Sequence, residues 1–97
     1  MTPVRFLEEA QAEFLEQVDF YEQREKGLGE RFRLAVLAAT TLVATHPKLG
    51  SPWKLGTRRV FAKGFKFALV YRIEPDEIVV FAVAHFRRRP TYWRGRR

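Results

Sequence analysis

The sequence predicts an α+β domain with a short N-terminal strand, an antiparallel two-helix hairpin and then an antiparallel sheet of three further strands. Two observations support this fold class. Apolar residues recur at helical spacing in the first half of the chain and at every second position in the second half, and glycine and proline separate the two patterns. The length of 97 residues suits one domain, residues 1–97, with one modest core.

The first half of the chain contains the helical patterns. Residues 3–7 form a candidate first strand, with Val4 and Phe6 as its apolar positions. The first helix runs from Glu8 to about Arg24, and the glycines of residues 26–29 end it. The second helix begins at about Glu30 and ends at His46, because Pro47 disfavours helical geometry in the residue before it. The apolar stripes comprise Ala10, Phe14, Val18 and Tyr21 on the first helix and Phe32, Ala35, Val36, Ala39, Leu42 and Val43 on the second.

The second half of the chain alternates with a period of two. Residues 48–56 form a loop by composition, because glycine and proline interrupt any regular pattern there. The last strand is apolar on both sides, and we expect it to be central in the sheet. The three strands are residues 58–61, 65–73 and 77–85, with turns at residues 62–64 and 75–76.

Strand register predicts which side chains share a face. If the turn at residues 75–76 contains an even number of residues, Lys66 lies opposite His85 and the two share one face of the sheet. The preceding turn decides which arginine joins them. A two-residue turn would add Arg59, whereas a three-residue turn with a glycine bulge would add Arg58.

Charge and composition limit the function classes. The formal net charge is +7, but residues 1–26 carry three basic and seven acidic side chains, so the positive charge is concentrated in residues 27–97. This part would attract nucleic acid, a ribosome or an acidic protein. The chain has no cysteine and only two distant histidines, so we expect neither a metal nor a cofactor. The N-terminal sequence is unlike a signal peptide and no membrane-spanning run is found, which predicts a cytoplasmic protein.

The end of the last strand and the residues after it contain the highest density of candidate functional side chains. It carries an imidazole, three consecutive guanidiniums and two aromatic rings, which could hold phosphates, stack on bases or bind an acidic surface. His85 could act as a general acid or base, or could cap the sheet edge through a backbone hydrogen bond. Arg58 and Arg59 could clamp a phosphate or pair with the acidic first helix. Trp93 could stack on a base or fold back as a lid on the core.

Five segments of the sequence, taken together and in order, are similar to a known family. They are residues 13–22 (EFLEQVDFYE), 27–32 (GLGERF), 58–59 (RR), 67–72 (FALVYR) and 85–93 (HFRRRPTYW). The chain in this respect resembles the RelE/ParE superfamily of toxins from type II toxin–antitoxin systems, which includes plasmid stabilization proteins. The resemblance implies a strand, two helices and an antiparallel sheet in a small cytoplasmic protein that a cognate antitoxin inhibits, as a toxin–antitoxin hetero-oligomer.

The superfamily implies two alternative activities. RelE-like members cut messenger RNA on the ribosome with basic side chains, whereas ParE-like members poison DNA gyrase. Arg59 and Arg88 match basic positions of the RelE pattern and Tyr92 lies near its tyrosine, but Ala68 and Phe61 replace a catalytic arginine and a lysine. We therefore expect a gyrase-directed toxin. The alternatives are a ribosome-dependent endoribonuclease with a rearranged basic site and an inactive fold retained as an antitoxin partner.

Three sets of candidate residues follow from these readings. For the nuclease alternative, the catalytic candidates are Arg59, Lys66, His85, Arg88 and Tyr92. The candidates for target binding are Arg58, Arg87, Arg89 and Trp93. The candidates for antitoxin binding, on the groove of the helix hairpin, are Phe14, Val18, Tyr21, Phe32 and Val36.

Overall fold

A hairpin of two helices covers one face of a five-stranded sheet, in a computed structural model that describes all 97 residues. The elements are β1 (Val4–Phe6), α1 (Glu8–Arg24), α2 (Leu28–Thr45), β2 (Ser51–Pro52), β3 (Arg58–Phe61), β4 (Phe67–Ile73) and β5 (Ile78–His85). The predicted α+β fold is confirmed. The strand order is β1-β5-β4-β3-β2, and the sheet is mixed because β1 runs parallel to β5 while the other pairs are antiparallel. Neither helix is long and apolar enough to cross a bilayer.

The turn between the helices is fixed by one carboxylate. Glu22 accepts hydrogen bonds from the backbone N–H groups of Gly27 at 2.9 Å and Gly29 at 3.0 Å, which satisfies donors at the start of α2. The helices approach closely here, because a Cβ on Gly29 would lie 2.4 Å from the carbonyl oxygen of Val18. Helix α2 consequently begins at Leu28, two residues earlier than the sequence pattern indicates.

Aromatic rings fill the space between the hairpin and the sheet. Phe32 of α2 is fully buried, and its ring centroid lies 5.1 Å from that of Phe65 and 5.2 Å from that of Phe67. Tyr21 of α1 lies 5.2 Å from Phe32 and 5.3 Å from Phe65. Edge-to-face and tilted contacts at these distances favour aromatic pairs. Phe67 therefore marks the face of the sheet that the helices cover.

A β-bulge at Phe81 changes the predicted register. Tyr71 lies opposite Val80 and Val70 lies opposite Ala82, so Phe81 is an extra residue in β5. The extra residue moves His85 opposite Phe67, and the prediction that Lys66 lies opposite His85 is wrong.

Strand β3 separates its two arginines onto opposite faces. Arg58 lies opposite Tyr71 and Arg59 lies opposite Val70. Because side chains alternate along a strand, Arg58 is on the face of Phe67 and His85, whereas Arg59 is on the face turned away from the helices.

The buried hydroxyl of Tyr71 anchors the loop that follows α2. It donates a hydrogen bond to the carbonyl oxygen of Pro47 at 2.7 Å and accepts one from the backbone N–H of Gly50 at 2.9 Å. Only glycine fits here, since a Cβ at residue 50 would lie 2.5 Å from the Tyr71 hydroxyl. Arg58 donates to the carbonyl oxygens of Gly50 at 2.6 Å and Lys48 at 3.2 Å. These bonds hold the edge of the sheet next to α2.

Replacing this hydroxyl should destabilise the protein. We expect Tyr71→Phe to lower the free energy of unfolding by about 1–3 kcal/mol, because a buried N–H and a buried carbonyl lose their partner. Tyr21→Phe is the matched control, since the Tyr21 hydroxyl has no hydrogen bond within the chain. Urea unfolding at 25 °C measures both, and equal effects of the two substitutions would contradict the assignment.

Candidate functional site

A small cleft opens on the face of the sheet opposite the helices. Its floor is formed by side chains of β4 and β5 that point away from the helices, including the cross-strand pair Ala68 and Ala84. We name it the arginine cleft, and its volume is about 100 Å³. Its walls comprise Trp53, Arg59, His85, Phe86, Arg88, Arg89, Pro90, Tyr92 and Trp93.

Two guanidiniums in the arginine cleft lie on aromatic rings. The Cζ atom of Arg59 is 3.5 Å from the ring centroid of Trp53, and that of Arg88 is 3.8 Å from the ring centroid of Tyr92. Stacking holds a planar guanidinium in place while leaving its edge donors available. None of the five ion pairs of the chain includes Arg59 or Arg88. The cleft therefore presents two oriented cations with no internal carboxylate to neutralise them.

A carboxylate at the edge of β5 fixes the C-terminal segment, residues 86–97. Glu13 of α1 accepts hydrogen bonds from the Tyr92 hydroxyl at 2.8 Å, from both terminal nitrogens of Arg96 at 2.9 Å and from the backbone N–H of Val83 at 3.1 Å. Arg96 also donates to the carbonyl oxygen of Phe81 at 3.0 Å. Glu13 and Arg96 are the best-buried ion pair of the chain, with 18% and 16% of their side chains exposed.

Tyr92 is held as a hydrogen-bond donor. Burial, and then the hydrogen bond to Glu13, raise the pKa of Tyr92 well above its ordinary value of 10. The phenol therefore stays protonated through the physiological range and is committed to Glu13, so its ring serves the cleft as a support for Arg88.

His85 is also held as a hydrogen-bond donor, through its Nε2 atom. Its Nδ1 atom accepts a hydrogen bond from the backbone N–H of Arg87 at 3.0 Å, and its ring lies edge-on to Phe67 at 5.0 Å. When Nδ1 accepts, the neutral imidazole carries its proton on Nε2. The free nitrogen of His85 can then donate to an anion but cannot take a proton from a substrate. This agrees with the interpretation of His85 as a cap on the strand end.

The structure brings together four of the five catalytic candidates. Arg59, His85, Arg88 and Tyr92 line the arginine cleft, whereas Lys66 is exposed outside it in the loop before β4. No cluster of three or more histidine or acidic side chains is close enough to hold a metal ion.

The candidates for target binding do not lie together. Arg89 lines the arginine cleft and Arg87 is exposed beside it. The guanidinium of Arg58 is hydrogen-bonded to carbonyl oxygens of the loop after α2. Trp93 is 3% exposed and packs on Phe81 at 6.1 Å, so it is the lid on the core rather than a free stacking surface.

The antitoxin-binding candidates lie mostly in the core. Phe14, Phe32 and Val36 are buried between the hairpin and the sheet, and Val18 and Tyr21 are half-buried. A larger groove of about 580 Å³, which we name the helix-side groove, runs between α1 and the exit of β5. Its lining comprises Glu13, Glu16, Gln17, Phe20, Tyr21, Arg24, Phe67, Val83, His85 and Arg88.

Sequence reasoning missed Glu13, Trp53 and Arg96. Glu13 offered one signal, because it follows Ala10 by three residues and so borders the apolar stripe of α1. Trp53 lies in a loop and Arg96 lies near the chain end, where no periodic pattern marks a contact.

The sequence matches one protein family. The model of the ParE toxin of type II toxin–antitoxin systems, parDE, matches residues 4–90. No curated protein sequence matches with significance. Among solved structures, a chain of the chromosomal ParDE toxin–antitoxin system from P. aeruginosa superposes with a TM-score of 0.73 at 14% identity, over 88% of this chain and 96% of that one. At this identity the likeness shows the fold alone.

Alkaline titration tests the environment of Tyr92. Because the pKa is raised in the folded state, the unfolded chain releases its phenolic proton first, and stability present below pH 10 is lost as the pH rises further. We expect Tyr92→Phe to be less stable than the parent at pH 7 and to lose less stability between pH 9 and 11. Burial also raises the pKa of Tyr71, so the titration of Tyr71 accounts for the loss of stability that remains in Tyr92→Phe. Unfolding curves at each pH measure this, and parallel losses in both proteins would contradict it.

Proposed function

The chain belongs to the ParE toxin family of type II toxin–antitoxin systems, and we propose on this premise that it inhibits growth by acting on DNA gyrase and is neutralised by a cognate antitoxin. The observation that carries the choice of target is the chemistry of the arginine cleft. Arg59 and Arg88 are oriented and unpaired, yet the cleft has no group ready to accept a proton. The cleft is suited to binding an anionic surface.

Cleavage of RNA needs a proton acceptor for the attacking ribose hydroxyl. Tyr92 is a protonated donor, His85 uses its accepting nitrogen on the backbone, and Glu13 already accepts four hydrogen bonds. The groups that could take a proton are therefore engaged elsewhere. The cleft is therefore better suited to binding a partner than to cleaving RNA.

The surroundings of the arginine cleft resemble a protein-binding surface. Phe61 and Phe86 are 47% and 51% exposed and pack edge-to-face at 5.2 Å beside the cleft. The guanidinium of Arg59 also lies 5.2 Å from the ring centroid of Phe61. Aromatic and arginine side chains dominate the energetics of protein interfaces. An acidic surface of gyrase, or the DNA that gyrase holds, would complement this combination.

A second candidate is a ribosome-dependent endoribonuclease with a rearranged site. The observation in its favour is that Arg59, His85, Arg88 and Tyr92 line one cleft. In this case, the two arginines would stabilise the charge of the pentacoordinate phosphate, and the Nε2–H of His85 would donate a hydrogen bond to one of its oxygens. Both candidate targets are cytoplasmic, so either activity requires a cytoplasmic toxin.

We propose the helix-side groove as the site of antitoxin binding. Phe20 is 49% exposed in this groove, and Arg24 and Arg88 lie among its lining residues. An antitoxin segment with apolar side chains for Phe20 and Tyr21 and acidic side chains for the two arginines would fit it. A toxin–antitoxin hetero-oligomer would follow.

Expression of the chain without a partner tests the proposed target. We expect growth to stop and gyrase-linked double-strand breaks to accumulate on plasmid DNA after treatment with detergent and protease, while ribosome-bound messenger stays intact. Cleaved messenger without DNA breaks would establish the nuclease instead. Normal growth with neither product at full expression would mean that the fold is inactive.

Substitutions in the cleft extend the same assay. We expect Arg59→Gln and Arg88→Gln each to weaken growth inhibition by about tenfold or more, because each removes a central cation of the binding surface. Arg33→Gln is the control, since Arg33 lies on α2 in an ion pair with Glu30. His85→Gln separates the mechanisms. A gyrase-binding toxin tolerates it, whereas a nuclease should lose about a hundredfold in rate.

A further inference from the structure

A second cationic pocket adjoins the arginine cleft on the face of the sheet turned away from the helices. We name it the C-terminal pocket, and its volume is about 290 Å³. Four arginines surround its two aromatic rings: Arg72, Arg94, Arg96 and Arg97 lie around Phe81 and Trp93. No acidic side chain lines the pocket. Trp93 also lines the arginine cleft, so the indole separates two cationic pockets on one face of the sheet.

Two of the four arginines keep their charge available for a ligand. Arg72 and Arg96 are each paired with a glutamate of the chain. Arg94 and Arg97 are exposed, and neither belongs to an ion pair. The C-terminal pocket therefore resembles the arginine cleft, which also presents two cations without a carboxylate.

The backbone that carries these cations is fixed by hydrogen bonds. The N–H of Arg94 donates to the carbonyl oxygen of Thr91 at 2.9 Å, and the N–H of Arg96 donates to the carbonyl oxygen of Trp93 at 3.2 Å. Gly95 lies between them with a φ of +89°, which glycine adopts without strain. A ligand in the C-terminal pocket consequently has no main-chain segment to order, which lowers the free-energy cost of binding.

The charge around both pockets favours a ligand with many negative charges. None of the five strands contains an acidic residue, and residues 78–97 contain six arginines and no acidic residue. Duplex DNA carries one negative charge for about every 1.7 Å of its axis. A DNA backbone can therefore supply an anion to both pockets at once, which a single small anion cannot.

The exposed side chains distinguish duplex DNA from other anionic partners. Phe81 and Trp93 are only 7% and 3% exposed, and Leu55 is the one exposed apolar residue among those that line the C-terminal pocket. A protein interface needs a cluster of apolar or aromatic side chains at its centre, and a single strand needs exposed rings for its bases. The outside of a duplex offers phosphates, and surfaces that bind it are strongly cationic.

We infer that the arginine cleft and the C-terminal pocket together bind the backbone of duplex DNA, with one phosphate on each side of Trp93. The inference rests on the proposed function where it identifies this DNA as the duplex that gyrase holds. Phe61 and Phe86 lie beside the arginine cleft and would contact the enzyme, while the C-terminal pocket contacts its DNA.

Binding of the bare duplex at several salt concentrations tests the inference. We expect the parent chain to raise the fluorescence anisotropy of a short labelled DNA duplex without gyrase, and the affinity to fall as salt is raised from about 50 to 200 mM. Arg94→Gln should make the slope of log affinity against log salt less steep by about 0.9, the equivalent of one lost phosphate contact.

Arg33→Gln is the matched control for this measurement. It removes the same charge from α2, on the opposite side of the sheet, and should leave the slope unchanged. Circular dichroism checks that both variants are folded. Equal slopes for Arg94→Gln and the parent, or tighter binding of single-stranded RNA than of the duplex, would overturn the inference. Binding to DNA-free gyrase that Arg94→Gln weakens would assign the pocket to an acidic protein surface and would overturn it as well.

The DNA-binding surface and the proposed target fail by different results. Absence of gyrase-linked breaks in cells that express the parent chain contradicts gyrase as the target. Gyrase-linked breaks that form although the parent chain does not bind the bare duplex, even at low salt, contradict the DNA-binding surface alone.

Discussion

The structure depends on the hydrogen bonds that satisfy the backbone groups along the free edge of β5. Strand β1 has three residues and β5 has eight, so the neighbour of β5 ends at Phe6 while β5 continues to His85. Buried backbone groups need partners, and no strand remains to supply them. The carboxylate of Glu13 takes the N–H of Val83, and Arg96 takes the carbonyl of Phe81. Two side chains thus continue the pairing where the strand stops, and they also bind each other. Because Arg96 is close to the C-terminus, this pairing folds residues 86–97 back onto the sheet, where Tyr92 supports Arg88.

The distribution of charge follows from the same arrangement. Each of the five ion pairs joins an arginine to a glutamate, and four of these pairs are substantially exposed. Exposed pairs contribute little to stability, but they neutralise the cations that they contain. The arginines that remain without a carboxylate include those of the arginine cleft and its rim. The surface therefore divides into an acidic helical side and a cationic sheet side, which can serve different partners at the same time.

Local features could be predicted from the sequence, and long-range ones could not. The order of helices and strands followed from periodicity, since each pattern depends on neighbouring residues only. The register of β4 and β5 did not, because the bulge at Phe81 adds a residue that no alternation reveals. Arg88 and Arg89 of the cleft stood out as part of a run of three arginines at a strand exit. Trp53 did not, since no periodic pattern shows that its loop turns back so that β2 pairs with β3 and Ser51 lies opposite Arg59. The role of Glu13 was least visible, because its partner Arg96 is 83 residues away.

Amide hydrogen exchange at Val83 tests the central claim most directly. If the Glu13 carboxylate completes the edge of β5, Glu13→Ala should speed exchange of the Val83 amide by at least about tenfold, the equivalent of one lost hydrogen bond. The amide of Ile78, which donates to the carbonyl of Pro3, should remain as protected as in the parent protein. Glu16→Ala, one turn further along α1, should leave both amides unchanged. Unaltered protection of Val83 in Glu13→Ala would contradict the account.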